Sequence, residues 1–301
     1  MKNKLLFIHI PKTAGTSFRL AAQKVFGSEC TFYDYGLEAT ETSDIIQQYV
    51  YKQKDIYKFG SILEEKEQVF LAGHFNVLKY MVLFDTLDIV TFIREPVERV
   101  WSHYRHFKKH NGYKKSFHEF IHEDRFQNTQ SKHLKLKPLE LYGFIGLTER
   151  YNESIQLINH YYGLSLQPLE ANINEEKQTG KEELDIDTIN LIKKLNQEDM
   201  VLYDKAVQIF EKRLMCFKKS KIYRHIWIQE NSGGIIRGAV CQKNQKDEPI
   251  KLKIQDGDKI VEVKASSFRP GLVMHNVPRK GFIGFEYTSL LKEQPVIVEE
   301  I

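Results

Sequence analysis

Cysteine is scarce in this chain of 301 residues: Cys30, Cys216 and Cys241 are odd in number, far apart and form no paired motif. That excludes a disulfide frame or a cysteine zinc site and points to reduced thiols in a cytoplasm-like compartment. An excess of one charge is also missing, since 44 Lys and Arg face 40 Asp and Glu, a net of +4. Overall charge therefore selects no partner. No run approaches the roughly 20 apolar residues of a membrane-spanning helix. The opening "MKNKLLFIHIPK" ends its apolar stretch at a His and a Pro, short of the roughly 7–15 residues of a secretory core. Repeats, low-complexity tracts and coiled-coil heptads are absent too. The expectation is a soluble, cytoplasmic protein.

Apolar residues at 42% and aromatics at 12% are enough for a sizeable core. Three short runs, "LLFIHI" (5–10), "QVFLAG" (68–73) and "LDIVTFI" (87–93), are almost continuously apolar, which suits strands buried on both faces of a parallel sheet. Polar residues and a helical pattern follow each. After the third, Pro96 suits a first helical turn, and Val97, Val100, Trp101, Tyr104 and Phe107 recur at helical spacing. Residues 187–214 read as two closing helices, and 174–185, without apolar period, as a loop. This is an α/β domain, P-loop-like, whose ligands belong beyond the carboxyl ends of its strands.

The texture changes near "FKKSK" (217–221). Short β-like segments follow, including "IKLKIQDGDKIVEVKA", which reads as a hairpin around a glycine turn. We expect an α/β domain over 1–220 and a small all-β sandwich over 221–301.

Lys12, Thr13, Ala14, Gly15, Thr16 and Ser17 directly follow the first strand. A loop entering a helix presents unpaired amides and the positive end of the helix dipole, a natural anion site. Glycine admits close approach, hydroxyls donate, and the lysine adds charge. The nucleotide-triphosphatase pattern GxxxxGK[ST] is absent. Arg94 ends the third strand and Ser102 lies on the following helix, a pairing that can grip a second phosphate. Two anion sites imply a ligand with phosphates at two places.

"FIHIPKTAGTSF" resembles the 5′-phosphosulfate loop, and "FIREPVERVWSHY" the 3′-phosphate element, of sulfotransferases that use 3′-phosphoadenosine 5′-phosphosulfate (PAPS). The sequence is most similar to family-2 carbohydrate enzymes such as heparan sulfate 2-O- and 6-O-sulfotransferases, whose loop reads "HIPKTGGTS". "LAGHF" (71–75), "NTQSKHL" (128–134) and "FIGLTERYNESI" (144–155) extend the resemblance over about residues 1–215. It implies a soluble bacterial member without the membrane anchor of animal relatives. Ala14 stands where relatives carry glycine, a change that a negative φ would accommodate. Lys132 and His133 depart from the family's "TR".

The resemblance further implies PAPS as co-substrate, no metal, and a carbohydrate acceptor, including an anionic one. His74 is then the general base, and its place after a strand end suits that role. Lys12 stabilises the departing phosphate. Arg105 and Lys132 are candidate acceptor contacts, and Asn128 and Gln130 candidate contacts to the cofactor or acceptor. Glu149 and Arg150 read as braces, His9 as a structural residue of the first strand, and His103 and His106 as surface residues. Between Arg99 and Lys115 six Lys or Arg occur without an acid, a block able to steer an anionic polymer. No nucleic-acid module is visible. A kinase-like P-loop enzyme and a non-catalytic nucleotide- or glycan-binding protein remain alternatives. Oligomeric state is not legible.

Overall fold

The computed structural model describes residues 3–135, 138–168, 184–245, 247–289 and 294–298. Five parallel strands, β1 (Asn3–Ile8), β2 (Thr31–Asp34), β3 (Gln68–Gly73), β4 (Ile89–Ile93) and β5 (Phe144–Leu147), form one sheet in the order β2-β3-β1-β4-β5. The apolar runs are buried end to end because helices cover both faces. The described helices are α1 (Gly15–Phe26), α2 (Asp44–Ile46), α3 (Ile56–Glu64), α4 (Pro96–His110), α5 (Phe117–His122), α6 (Thr129–Leu134), α7 (Tyr151–Tyr162), α8 (Ile186–Leu195) and α9 (Gln197–Lys218).

Strand order reverses at β1, which lies between β3 and β4. Such a switch point opens a crevice at the carboxyl ends of the strands. Helix α4 is placed there by its own signals. The Glu95 side chain caps it by accepting from the Glu98 amide at 2.9 Å, and Pro96 opens its first turn. Val97, Val100 and Tyr104 pack with Phe120, Phe126 and Ile192, which fixes the rotation of the helix.

Two strands end differently from expectation. The run at 5–10 leaves the sheet after Ile8, and the run at 87–93 starts at Ile89 after a tight turn closed by Asp88 N–H to the Asp85 carbonyl at 2.8 Å. The closing helices over 187–214 are α8 and α9. Most of the loop expected over 174–185 lies outside the described residues.

The carboxy-terminal part is all-β, as expected. Strands β6 (His225–Ser232), β7 (Ile235–Cys241), β10 (Ser267–Phe268) and β11 (Phe282–Thr288) form one antiparallel sheet in the order β10-β11-β7-β6. A second contains β8 (Lys251–Asp256), β9 (Lys259–Lys264) and β12 (Val296–Val298). The β8–β9 hairpin turns at Gly257, whose φ of 57° suits glycine. Ile236, Val240, Leu252, Ile254 and Phe285 join the two sheets in one apolar cluster. Ala239, Cys241 and Ile283 instead cluster with Leu87 and Leu141 of the α/β part. Among the described residues no helix is long and apolar enough to cross a membrane.

Candidate active site

The register of β1 on β3 pairs Ile8 with Gly73, so the next residues, His9 and His74, emerge side by side. The His9 amide donates to the Gly73 carbonyl at 3.0 Å, and the two imidazole centroids lie 4.5 Å apart. His9 Nδ1 is hydrogen-bonded to the Tyr35 hydroxyl at 2.9 Å. The His74 amide donates to the Asp34 carbonyl at 3.0 Å. Asp34 is itself held by Lys79 Nζ at 2.6 Å and by the hydroxyls of Tyr51 and Tyr80, each at 2.7 Å.

After His9 the chain turns sharply, with Lys12 at φ 69° and Ala14 at φ 61°. The negative φ that would have accommodated Ala14 is not found. An L-residue in this left-handed region costs about 1–2 kcal/mol, which the surrounding loop must offset. Gly15 then opens α1 against the His9 ring; a Cβ there would sit 2.0 Å from His9 Cδ2. The first amides of α1 have no acceptor within the helix, and together with the turn they form a concavity of a kind that can hold an anion.

Lys12 and Arg94 line one cavity of 370 Å³, together with Glu98, Trp101, Ser102 and Arg105. A second cavity, of 530 Å³, is lined by His9, Lys12, Gly15, Thr16, His74 and His103. Lys12, His106 and His110 border both, so the two spaces adjoin. Arg94 follows β4, which pairs directly with β1; this adjacency brings the two cations to one crevice.

Several predicted residues are employed elsewhere. The Thr13 hydroxyl is buried and donates to the Ile10 carbonyl at 3.0 Å, and Ser17 is buried within α1. Gln130 is fully buried: its Oε1 accepts from the Arg94 amide at 2.8 Å and its Nε2 donates to the Arg94 carbonyl at 2.9 Å. It therefore braces the backbone beneath Arg94. Asn128 Oδ1 accepts from the Asp199 amide at 3.2 Å, and Asn128 N–H donates to Asn196 Oδ1 at 2.9 Å. Lys132 Nζ donates to the Asp124 carbonyl. Glu149 Oε1 accepts from the Glu95 amide at 2.7 Å, the bracing role expected of it.

Sequence reading missed the density of histidines. His103, expected at the surface, is buried with Nδ1 3.3 Å from Arg99 Nη1, and His9, His106 and His110 also reach the cavities. The stripe pattern of α4 located its apolar face but not what its other face confronts.

The electrostatics follow first from burial and then from the crowding of basic groups. His74 is exposed by surface area, yet protein surrounds it closely enough to remove solvation, and with His133 and Arg19 nearby its pKa is pushed down to about 4. Burial and the neighbouring His74 hold His9 well below the ordinary histidine value, and burial with Arg99 beside it takes His103 to about 3. These imidazoles are neutral at pH 7. His74 can accept a proton, and Lys12 and Arg94 supply positive charge. Such a site suits a polyanion at one end and proton removal at the other.

The model of the sulfotransferase family matches residues 1–206. A search of the curated proteins found no match.

Proposed function

Because the chain belongs to the sulfotransferase family, we propose that it moves the sulfuryl group of PAPS to a hydroxyl of a carbohydrate, with His74 as general base. The observation that carries this reading is the shared crevice: Lys12 and Arg94 line one cavity, with Ser102 on its wall. The residues present fit a donor bearing phosphates at two places. Gly15 and Thr16 line the adjoining cavity at the loop, while Arg94 and Ser102 stand at the other end.

When bound, PAPS supplies the activated sulfuryl group. Lys12 and the amides at Gly15 and Thr16 stabilise the charge that develops on the phosphate oxygen as its bond to sulfur breaks. Arg94 and Ser102 orient the 3′-phosphate, fixing the in-line approach. His74 takes the proton of the acceptor hydroxyl as the new oxygen–sulfur bond forms. Anionic groups placed beside a depressed imidazole raise its proton affinity, so His74 becomes a stronger base once the donor side is filled. The reading uses no metal.

The acceptor reading rests on the basic border of the crevice, where Arg105, Lys108 and Lys109 line the Lys12–Arg94 cavity. A carbohydrate carrying negative charge is attracted there. Asn128 and Gln130 support the frame of this site, and Arg105 is the acceptor candidate we favour among the residues predicted. The change of texture after α9 supports a division into a transferase domain over 1–220 and an accessory domain over 221–301. Three free cysteines, two of them buried, fit a reducing, cytoplasmic setting.

Calorimetric titration with adenosine 3′,5′-bisphosphate tests the donor assignment. Saturable binding that weakens at least about tenfold in Arg94→Ala is expected from loss of a charge-assisted contact. Binding of ATP with indifference to the bisphosphate would favour a kinase-like enzyme instead.

A further inference from the structure

A third cavity, of 270 Å³, opens where α7 and the chain leaving α9 meet the loop after β7. Its walls include His160, Tyr161, Lys221, Tyr223, Lys243 and Asn244. It lies at the opposite end of the sheet from the crevice. Asp88, the partner of Lys243, immediately precedes β4, whereas Arg94 immediately follows it. Six residue steps along the strand separate them, or roughly 20 Å at about 3.3 Å per residue.

Charge here is unbalanced. Behind the aromatic wall lies Arg213, only 2% exposed, with its guanidinium carbon 4.4 Å from the Tyr223 centroid and 5.4 Å from that of Tyr161. Among the described residues its Nε and Nη1 have no hydrogen-bond partner. Among the described residues, the one ion pair that Lys221 and Lys243 on the wall and Arg213 behind it make is that of Lys243 with Asp88. A buried charge without full compensation is costly, and an anion in this cavity offsets it. Among the described residues no acidic side chain lines the space to compete.

The walls also select what carries the anion. Tyrosine rings offer apolar faces with a polar edge, and Asn244 and Ser220 add short polar groups. We propose that this cavity is a second anion-binding site, taking a sulfate or phosphate ester borne on a sugar ring, with the ester at Lys221 and the ring against Tyr161. A polymer held both here and at the crevice would gain affinity through effective concentration, without new contacts at the reacting centre. The choice of a sugar rests on the carbohydrate reading above; the anion site itself does not.

The test is amide NMR on the full chain without sulfuryl donor, using glucose 6-sulfate, inorganic sulfate and adenosine 3′,5′-bisphosphate as separate probes. Glucose 6-sulfate is expected to shift the amides of Lys221, Tyr223 and Asn244 saturably. Lys221→Glu, an exposed substitution, should weaken that binding by about tenfold or more. Still amides at these positions, or unchanged affinity in Lys221→Glu, would overturn the proposal. Equal affinity for inorganic sulfate or for the bisphosphate would overturn the sugar assignment. Since no transfer is measured, failure here leaves the donor assignment standing.

Discussion

The rings of His9 and His74 lie 4.5 Å apart at 39° because β1 and β3 end in register. Two imidazoles so close cannot both be protonated without repulsion. His74, pushed down to about 4, is neutral through most of the accessible pH range. The acid limb of kcat/KM, which reports the free enzyme, should therefore fall near pH 4, well below an ordinary histidine near 6.5. An acid limb above pH 6 would remove His74 as the base, as would unchanged turnover in His74→Ala.

The same shifts bear on stability. The unfolded chain binds protons at its histidines below about 6.5, while folded His74 and His103 stay neutral to about 4 and 3. More protons on the unfolded state mean that stability falls as pH drops through this window. Urea midpoints should decrease from pH 7 to pH 4. His103→Phe, which keeps a ring in the aromatic cage, should flatten part of that decrease.

Backbone geometry at the loop makes opposite predictions for neighbouring residues. Ala14→Gly relieves a left-handed conformation and should raise stability by up to about 1 kcal/mol, the left-handed cost reduced by glycine's extra entropy. Gly15→Ala drives a methyl into His9 and should lose about 1–3 kcal/mol. Bisphosphate affinity should fall with it. Urea denaturation and calorimetry measure both, and a destabilised Ala14→Gly would contradict the strain argument.

Gln130 supports Arg94 entirely through backbone contacts. Gln130→Leu leaves the Arg94 amide and carbonyl without their partner, at about 1–3 kcal/mol for each orphaned group. Affinity for adenosine 3′,5′-bisphosphate should drop although Gln130 touches no ligand. Gln130→Glu, which keeps the acceptor and loses the donor, should fall between. Equal affinities in all three proteins would show that Arg94 needs no such brace.

The chain has two tryptophans, Trp101 on α4 and Trp227 on β6, one in each part. Leu87 and Leu141 share a cluster with Ala239, Cys241 and Ile283, which ties the parts energetically. Single-tryptophan variants made with Phe should report coincident unfolding curves. Leu141→Ala, a buried truncation costing about 2–5 kcal/mol, should move both together. Separate transitions would show independent units.

Legibility tracked the range of the physical cause. The strands at 68–73 and 89–93 were visible within the apolar runs at 68–73 and 87–93, and α4 through its proline and stripe, because burial and helix periodicity are local. Strands β2 and β5, four residues each, are too short for a pattern to separate them from their flanks. Gln130 seemed a ligand contact because a polar loop residue carries no sign of its partner; only folding brings it to Arg94.

From residue order alone came the α/β class, the all-β carboxy-terminal region and the family itself, since each is written in contiguous segments whose chemistry needs no distant neighbour. Tertiary structure alone decided which of eleven histidines share a cavity, which polar side chains are committed to the frame, and that Ala14 adopts a left-handed turn. Those depend on strand register and on packing between segments far apart in the chain, which no local pattern encodes.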